Sequence, residues 1–296
     1  MSAGTRGPGL VPGRSVVVTG ASTGIGRACA LDLDKRGFAV FAAVRKDADA
    51  ESLKQAGSDR LETLLLDVTD QASIDAAVKS VAARTDSLYG LVNNAGITVA
   101  GPLEYLPVDE VRRQFEVNVF GQIAVTQAFL PLVRKARGRI VFMSSVGGRV
   151  PSAPFLSPYN ASKHALESFG DALRVELAPW DIHVSLVEPG SIATPIWDKS
   201  LSAATELRKN LPPEAEERYG KAADKMEKLA EATGKRGIPP QKVADKVAHA
   251  LMSKRPDPRY MVGTDARVQK TLFTLLTDRG RDRLFARLSG LRKRSV

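Results

Sequence analysis

Residues 14–26 have the sequence RSVVVTGASTGIG, in which three β-branched valines run directly into a glycine-rich turn. The short, uninterrupted apolar run Val16–Val18 is typical of a strand that is covered on both faces. After the turn, a helical pattern extends from about Gly24 to Lys35. A buried strand that leads through glycines into a helix begins a βαβ unit, so this stretch predicts an α/β fold.

Six more short apolar runs repeat this arrangement along the chain. Helical patterns separate them, and strand-helix alternation at this spacing predicts right-handed crossovers between parallel strands. The further strands are predicted at about residues 38–44, 61–66, 88–92, 139–143, 182–187 and 259–262. The sequence therefore predicts one doubly wound parallel sheet with helices on both faces.

The predicted sheet occupies residues 14–265, and neither an internal repeat nor a low-complexity linker divides that range. A single domain is therefore expected. Residues 197–240 form a charged helical insertion at the sheet edge where such folds bind ligands, and we expect this insertion to be a substrate lid. Residues 1–13 are expected to form a flexible tail, and residues 266–296 a basic amphipathic extension.

Composition limits the class of protein. The chain has 296 residues, of which 43% are hydrophobic, and this excludes a disordered or collagen-like chain. A single cysteine, Cys29, forms no internal disulfide and offers no zinc site, so a reducing compartment is the simplest interpretation. No segment reaches the roughly 20 apolar residues of a membrane span, and the start of the chain lacks the apolar stretch of a signal peptide. A soluble, cytoplasmic protein without a metal ion is expected.

The basic charge is concentrated at one end of the chain. The net charge is +10, of which residues 266–296, with nine Lys or Arg and two Asp, carry +7. The rest carries only +3, which argues against a nucleic-acid groove across the fold. Two apolar groups follow helical spacing in the extension: Val268, Leu272, Leu275 and Leu276, then Leu284, Phe285, Leu288 and Leu291. Such helices either pack on the parent domain or a second subunit, or lie on an anionic membrane surface.

The glycine-rich turn lies where an open α/β sheet binds the pyrophosphate of a dinucleotide. Gly20, Gly24 and Gly26 allow the tight turn and let phosphate oxygens approach the backbone. The helix that follows presents unpaired N–H groups and the positive end of its dipole. An ordinary glycine-rich turn is the alternative, because isolated glycine patterns are common.

The end of the second strand indicates which dinucleotide is bound. An acidic residue about 20 positions after the glycines usually accepts from the ribose 2′-hydroxyl of NAD. Here Arg45 and Lys46 stand at that point, and no carboxylate appears before Asp47. The guanidinium of Arg45 suits a 2′-phosphate, which favours NADP(H) over NAD(H), with a solvated loop arginine as the alternative. Asp67 is placed either to accept from the adenine amino group or to cap the next helix.

A predicted helix that begins near Ser157 carries Tyr159 and Lys163 four residues apart, and so on one face. Ser157 is expected to cap this helix, with Pro158 in its first turn. A phenol has an ordinary pKa of about 10, and a nearby ammonium or an oxidised nicotinamide ring stabilises the phenolate. Tyr159 can then exchange a proton with a substrate oxygen. A surface tyrosine and lysine on a helix are the alternative interpretation.

Two polar residues are predicted to join this pair. Ser145 ends the fifth strand and can donate a hydrogen bond to the same substrate oxygen. Asn118 lies among apolar residues of a helical stretch, where its amide needs a partner or a water, and it is expected to anchor a water chain to Lys163. Each residue alone also has a purely structural explanation, as a strand-end serine or a satisfied core asparagine.

Together these residues resemble the short-chain dehydrogenase/reductase family, with a match over about residues 14–265 in the same order. The shared motifs are Thr19-Gly20-xxx-Gly24-Ile25-Gly26, Asn93-Asn94-Ala95-Gly96, Asn118, Ser145, Tyr159-xxx-Lys163 and Pro189-Gly190. The resemblance implies a Rossmann-type fold with Tyr159 as acid/base and Ser145 orienting the substrate oxygen. It further implies that Lys163 binds the nicotinamide ribose and lowers the tyrosine pKa, and that Asn118 belongs to the proton relay.

The resemblance also implies a cofactor site. In the family, the Asn94 segment packs against the adenosine ribose, and the segment after Pro189-Gly190 holds the carboxamide. The NADP-selecting arginine falls at Arg45. The predicted cofactor-binding residues are Gly20, Ser22, Thr23, Gly24, Ile25, Gly26, Arg45, Asp67, Val68, Asn94, Ala95, Gly96, Tyr159, Lys163, Pro189, Gly190, Ile192 and Thr194.

The spacing of the catalytic residues departs from the family pattern in one place. Ser145 and Tyr159 are 14 residues apart, one more than the family pattern has, and the extra residue is expected within residues 151–158. Ser144 would be 15 residues away, so Ser145 is the better choice. A substrate-facing Ser144 would mean that the predicted phase of the strand is wrong.

Residues 59–63 with 66–69, and residues 260–266, resemble the retinol and hydroxysteroid dehydrogenase branch of the family. This implies a lipophilic alcohol or carbonyl substrate of retinoid, steroid or fatty type. Apolar side chains are available beside the nicotinamide, although core or lid packing would explain them equally: Phe155, Leu156, Ile196 and Trp197. The predicted substrate contacts are Ser145, Phe155, Tyr159 and Trp197.

The sequence thus predicts an NADP(H)-dependent oxidoreductase that moves hydride between nicotinamide and a lipophilic secondary alcohol or carbonyl. A non-catalytic nucleotide-binding protein and a membrane-surface adaptor on the same fold are the alternatives. The first is disfavoured, since a binder has no need of Tyr159 and Lys163 together. The resemblance implies a homodimer or homotetramer formed through long helices at about residues 108–136 and 157–179.

Overall fold

The computed structural model describes residues 14–291, and the predicted tail of residues 1–13 and the last residues, 292–296, lie outside this range. Seven parallel strands form one sheet in the order β3-β2-β1-β4-β5-β6-β7. The strands are β1 Ser15–Val18, β2 Ala39–Val44, β3 Leu61–Leu65, β4 Gly90–Asn93, β5 Arg139–Met143, β6 His183–Pro189 and β7 Arg259–Val262. The predicted doubly wound parallel sheet is confirmed.

Helices connect the strands and cover both faces of the sheet. Those up to β6 are α1 Gly24–Lys35, α2 Asp47–Ala56, α3 Gln71–Ala82, α4 Val108–Phe115, α5 Gly121–Ala136 and α6 Ser157–Leu177. Those after β6 are α7 Ile196–Lys209, α8 Pro213–Lys235, α9 Gln241–Met252, α10 Thr264–Leu275 and α11 Asp278–Ser289. The predicted lid corresponds to α7 and α8, and the predicted extension to α10 and α11.

Two hydrophobic cores lie on opposite faces of the sheet, because successive side chains of a strand point to opposite sides. Val16 and Val18 pack with α1 and α9 on one face, whereas Val17 packs with α3, α5 and α6 on the other. All three valines are fully buried. Cys29 lies in the first core, where burial raises the pKa of its thiol far above the ordinary value.

The strand order reverses between β1 and β4, which lie side by side at the centre of the sheet. In an open α/β sheet this reversal creates a crevice at the carboxyl ends of the strands. The loops after β1, β2, β4, β5 and β6 therefore meet along one edge. The residues predicted to bind cofactor and substrate follow these strands.

The start of α6 differs from the prediction. Ser157 is the first residue of the helix rather than its cap, and Leu156, which precedes it, makes no side-chain capping hydrogen bond. Pro158 lies in the first turn as predicted, where its missing N–H costs nothing. Long helices also form at residues 108–136, but a π-helical turn, Glu116–Phe120, separates α4 from α5.

The extension packs on the domain through part of the predicted apolar groups. Phe273 is buried, and Leu276, Leu284 and Phe285 pack beside it. By contrast Val268 and Leu275 are 64% and 79% exposed, and Leu272 and Leu288 are also exposed. Because apolar residues lie on several sides of α10, spacing alone did not identify Phe273 as the residue that packs. Within residues 14–291, no helix is long and apolar enough to cross a bilayer.

Candidate active site

A cavity of about 880 Å³ opens at the carboxyl edge of the sheet. Its walls include every residue predicted for the cofactor and the substrate, together with Ser145, Tyr159 and Lys163; Asn118 lies behind the wall. Along the edge, the order of the strands places Arg45 after β2, the glycine turn after β1, Asn94 after β4, Ser145 after β5 and Gly190 after β6. One continuous cavity therefore joins the predicted cofactor and catalytic residues.

The glycine turn has a backbone conformation that other residues rarely adopt. Gly20 and Gly24 have φ angles of +63° and +57°, in the left-handed region. A Cβ atom at Gly26 would overlap the carbonyl oxygen of Gly20, because α1 starts immediately against the turn. The turn thus packs tightly against α1 and the loop after β4, and the first residues of α1 line the cavity.

Asn94 holds the glycine turn from the neighbouring strand. Its Nδ2 donates to the carbonyl oxygens of Thr19 and Gly20, at 2.9 and 3.1 Å. The Oγ1 of Thr19 accepts in return from the N–H groups of Asn94 and Ala95. The Asn-Asn-Ala-Gly motif therefore braces the turn, besides lining the cavity.

Arg45 is exposed at the end of β2 and faces Asp67 across the cavity wall. Burial works to raise the pKa of Asp67, but hydrogen bonds from Thr69 and the positive charge of Arg45 outweigh it and hold the pKa below its ordinary value. The cap of α3 is Asp70, which accepts from the N–H of Ala72, so the capping alternative for Asp67 is wrong. Asp67 instead stays ionised in the cavity wall.

Tyr159 and Lys163 lie on the cavity side of α6, next to the end of β5. Burial raises the pKa of Tyr159, although a hydrogen bond with Ser145 acts in the opposite direction. The phenol is thus protonated at neutral pH, which is compatible with the predicted proton transfer. The Nζ atom of Lys163 lies 5.7 Å from the centre of the Tyr159 ring.

Lys163 is held in place by the sheet. Its Nζ donates to the carbonyl oxygen of Met143 at 2.8 Å, and the side chain is buried. Burial lowers the pKa of Lys163 to about 8, while the nearby charge of Glu167 opposes the shift. The ammonium form, which stabilises a phenolate, therefore persists at neutral pH.

Ser145, rather than Ser144, is the serine in contact with Tyr159. The hydroxyl of Ser144 is buried without a hydrogen-bond partner, whereas Ser145 Oγ also accepts from the N–H of Gly147 at 3.1 Å. The predicted strand phase agrees with this arrangement. The loop that contains the extra residue places Phe155 at a φ of +68°, a conformation rare for a bulky side chain.

Asn118 lies in the π-helical turn and is completely buried. Its Oδ1 accepts from the N–H of Ile97 at 2.8 Å, and its Nδ2 donates to Ile97 O at 3.0 Å and Ser162 Oγ at 3.1 Å. The side chain thus ties the loop after β4 to α6. Its connection to Lys163 through a water chain stays a prediction.

The loop after β6 is fixed by Asp265, at the start of α10. The Asp265 carboxylate accepts from the N–H of Ser191 at 2.7 Å and lies where a Cβ atom of Gly190 would be. Trp197 Nε1 donates to the carbonyl oxygen of Ile192 at 2.8 Å, which anchors the start of α7 to the same loop. Pro189 and Thr194 also line the cavity there.

Beyond the catalytic residues the cavity is walled by helices. Most of the lining side chains here are apolar: Phe155, Leu156, Ile196, Trp197, Leu201, Leu207, Leu211, Met226, Leu229, Phe273 and Phe285. Arg208 also lines it, but its guanidinium is paired with Glu216 and Asp224 at 2.6 and 2.7 Å. The lid is linked to the loop after β4 by hydrogen bonds from Arg218 and Tyr219 to Glu104.

Two buried carboxylates lie just outside the cavity. Glu188 immediately precedes Pro189, and Glu167 is one helical turn after Lys163. Arg259 Nε contacts both, at 3.2 Å from Glu188 and 3.0 Å from Glu167. Burial, and then the charge of Glu167, raises the pKa of Glu188 to about 7, against the opposing charges of Arg149, Arg259 and Lys270.

Sequence reasoning missed the residues that reach the site from distant parts of the chain. Phe273, Asp265 and Tyr219 were not predicted to line or support the cavity. Phe273 and Phe285 stand out in the sequence as aromatic residues within a basic segment. The sequence does not show which way their side chains point, because that depends on packing against distant residues. In the structure Phe273 is buried and Val268, five residues earlier on the same helix, is exposed, so the two residues lie on opposite faces of α10.

A Rossmann-type sheet with a glycine turn at one end of a cavity and a tyrosine-lysine pair beside it defines a class of nicotinamide-dependent oxidoreductases. The family model for short chain dehydrogenases matches residues 14–205. The chain belongs to the short-chain dehydrogenase/reductase family and is an NAD(P)-dependent oxidoreductase acting on alcohols or carbonyls. The predicted family is confirmed.

Relatives place the chain more closely within the family. An NADPH-dependent 3-dehydrocapnine reductase from Ornithobacterium rhinotracheale is 37% identical, over 92% of this chain and 96% of that protein. Retinol dehydrogenase 5 of Mus musculus is 39% identical, over 86% and 81%. The crystal structure of a short-chain dehydrogenase from Streptomyces avermitilis aligns with a TM-score of 0.73 and 31% identity, over 94% and 95%. The predicted resemblance to the retinol dehydrogenase branch is confirmed.

Proposed function

We propose that the protein is an NADP(H)-dependent oxidoreductase that interconverts a neutral, lipophilic secondary alcohol and its ketone. One observation carries this proposal: a single cavity runs from Arg45 and the glycine turn, past Ser145, Tyr159 and Lys163, to an apolar chamber of helices. The cavity thus combines the features that a dinucleotide, a proton transfer and an apolar substrate each require.

The residues present fit a dinucleotide. Gly20, Gly24 and Gly26 line the cavity, and α1 begins directly at this turn, so its N-terminal N–H groups are available to a pyrophosphate. Ser22, Thr23 and Ile25 would bind beside the pyrophosphate, Val68 and Ala95 beside the adenosine, and Ile192 and Thr194 at the nicotinamide. When bound, the nicotinamide supplies or accepts the hydride.

The choice of NADP(H) rests on Arg45. Its exposed guanidinium stands at the end of β2, where an NAD-binding acid is missing, and it is available to pair with a 2′-phosphate. The relative from Ornithobacterium rhinotracheale, which is NADPH-dependent by name, supports the same choice.

Tyr159 is the proton donor to the substrate oxygen in the direction of reduction. Its raised pKa keeps the phenol protonated at neutral pH, and the Ser145 hydroxyl beside it donates to the same oxygen. Lys163, still charged below a pKa of about 8, stabilises the phenolate that remains. Asn118 keeps the loop after β4 against α6, which fixes the geometry of this group.

A neutral, lipophilic substrate follows from the chamber walls. The side chains beyond Tyr159 are mainly apolar, and the guanidinium of Arg208 is already paired with carboxylates. A hydrocarbon gains free energy from burial against these apolar walls. A charged group would lose hydration there, except beside the exposed Lys199, which also lines the cavity. Phe155 and Trp197 are the substrate contacts nearest the catalytic loops.

A screen of neutral ketones and alcohols with NADP(H) and NAD(H), following the absorbance of the reduced nicotinamide ring, tests the proposal. We expect turnover of lipophilic members, a preference for NADP(H), and little activity toward the corresponding carboxylic acids. Binding of NADPH without turnover of any ketone or alcohol would instead support a non-catalytic nucleotide-binding protein.

Exposed apolar residues on α4 and α6 fit a homodimer or homotetramer built through the long helices at residues 108–136 and 157–177. Phe169 and Val175 of α6 and Val108 of α4 are exposed although large and apolar. Light scattering after size exclusion is expected to give a dimer or tetramer, and Val175→Asp to dissociate it. A monomeric wild-type protein would contradict this assembly.

The outer face of the extension fits peripheral contact with an anionic membrane. Val268, Leu272 and Leu275 form an exposed apolar strip, with Arg267 and Arg279 exposed nearby. Binding to phosphatidylserine vesicles should be lost in Val268→Glu/Leu275→Glu with activity retained. Absence of vesicle binding at low salt would contradict the membrane proposal.

The buried, unpaired thiol of Cys29 is compatible with a reducing compartment such as the cytosol.

A further inference from the structure

Helices α10 and α11 present different residues to the cavity and to the surface. Ala266 and Phe273 are buried on the inner side, and Phe285 packs with them. Val268 and Leu275 point the other way and are mostly exposed. The two helices are therefore positioned by their inner aromatic residues, whereas their outer apolar residues contribute little to the packing.

The inner aromatic rings form one surface of the cavity. The rings of Phe273 and Phe285 stack with their centres 5.0 Å apart and their planes 20° apart, and both line the cavity. They pack on Val146, the first residue of the short turn that follows Ser145, and on Val150, just after that turn. The aromatic pair thus stands next to the catalytic loop and faces the same space.

Polar contacts fix the pair relative to the catalytic residues. Arg281 Nε donates to the carbonyl oxygen of Phe273 at 2.8 Å, which ties α11 to α10. Lys225 Nζ, on the lid, donates to the carbonyl oxygen of Arg287 at 2.9 Å. Asp265 joins the start of α10 to the loop after β6. Both helices are therefore attached to the cavity walls at several points, which positions the rings relative to the catalytic loop.

We infer that the Phe273–Phe285 pair forms the wall of the substrate chamber beside the catalytic loop and limits the length of the hydrocarbon chain that the enzyme accepts. The inference rests on the proposed function, since it assumes that the chamber takes a lipophilic alcohol or ketone. Two stacked phenyl rings offer an apolar surface and no hydrogen bond, so they suit the hydrocarbon part of a substrate. A chain that reaches the rings gains from burial, and a longer one collides with them.

A homologous series of straight-chain methyl ketones, reduced with NADPH, tests the inference. For the wild-type protein kcat/KM should rise by about fourfold for each added methylene that becomes buried, and should fall once the chain exceeds the chamber. Phe273→Ala and Phe285→Ala should each move the maximum to longer ketones. Leu275→Ala, which removes an exposed residue from the same helix, is the matched control and should leave the maximum unchanged.

Measurements of folding and of ketone binding distinguish failure of this inference from failure of the proposed function. If an alanine variant fails to fold, Phe273→Leu and Phe285→Leu keep an apolar contact and should show a smaller shift in the same direction. An unchanged maximum in folded variants overturns the inference. If the wild-type protein reduces no ketone, the proposed function fails. The rise in unfolding temperature on adding each ketone then measures binding, and its dependence on chain length tests the inference without catalysis. If the rise in unfolding temperature depends on ketone length in the same way in the wild type and both variants, the inference is again overturned.

Discussion

The two halves of the cavity are built in different ways. The cofactor half consists of strand ends and backbone: the glycine turn, the bracing Asn94 and the loop after β6. The proposed substrate half consists mainly of side chains from α7, α8, α10 and α11, which come from the last third of the chain. The proposed nucleotide site thus depends on short local motifs, whereas the proposed substrate site depends on how distant helices pack.

This difference predicts how each half tolerates change. A backbone site loses function when a single glycine gains a side chain, because no neighbour can move away. An apolar chamber can accept many substitutions if its volume and polarity are kept. Substrate preference should therefore be easier to alter than nucleotide binding.

The largest expected effect separates chemistry from nucleotide binding. Tyr159→Phe removes the proton donor, so kcat should fall by roughly 10²- to 10⁴-fold. NADPH binding, measured by fluorescence titration, should remain nearly the same because the glycine turn and Arg45 are untouched. Tyr89→Phe is the control, since its hydroxyl donates to Leu251 O on the far side of the sheet from the cavity edge. Retained turnover in Tyr159→Phe would remove this residue as the donor.

The next effect should be confined to the cofactor half. Arg45→Ala removes a charge-assisted contact with the 2′-phosphate, so the Kd for NADPH should increase by roughly 10- to 100-fold while that for NADH changes little. Lys54→Ala, which removes an exposed positive charge from α2, is the control. Equal losses for both nucleotides would contradict the assignment of Arg45, and a changed ketone preference would contradict the separation of the two halves.

The smallest effect concerns Glu188, at the junction of the halves. Its pKa of about 7 in the folded chain exceeds its ordinary 4.5, so the native state holds the extra proton between these values. The stability that Glu188 contributes is thus complete below pH 4.5 and is lost as the pH rises through 7. The free energy of unfolding of the wild type, minus that of Glu188→Gln, should fall across this window by at most about 1.4 kcal/mol per pH unit.

Urea unfolding at several pH values measures this difference. Glu51→Gln, which changes an exposed carboxylate on α2, should show no such trend. If the difference in the free energy of unfolding between wild type and Glu188→Gln stays constant from pH 4.5 to 7, Glu188 is ionised in the folded chain.

Much of the fold could be predicted because its signals are local. Short apolar runs gave each strand to within about two residues, since a strand buried on both faces has no polar positions. Helix α1 has the predicted bounds, Gly24–Lys35, because glycines fix its start. The prediction that Ser157 caps α6 was wrong. Serine is a common capping residue, but this one is the first residue of the helix, one position after the cap. Asp67 lay between two interpretations, and capping is excluded because Asp70, three residues later, caps α3.

The substrate half could not be predicted in the same way. The inner face of α10 depends on contacts of Phe273 with Val146 and Phe285, which are separated from it in sequence by very different distances. The support from Asp265 depends on a hydrogen bond to Ser191 across 74 positions. Neither contact leaves a periodic signal. The family resemblance supplied the roles of Tyr159 and Lys163, and those roles stay predictions until the variants are measured.

The single thiol of the chain has a practical consequence. Cys29 is sealed between α1 and the sheet and is held in the unreactive, protonated form. Alkylating reagents should reach it only when the domain opens, so the rate of labelling reports unfolding without any added probe. A cysteine placed at the exposed Ser202 of the lid would be the one reactive site in the native chain. Dyes or spin labels attached there could follow lid movement during turnover in an otherwise unaltered background.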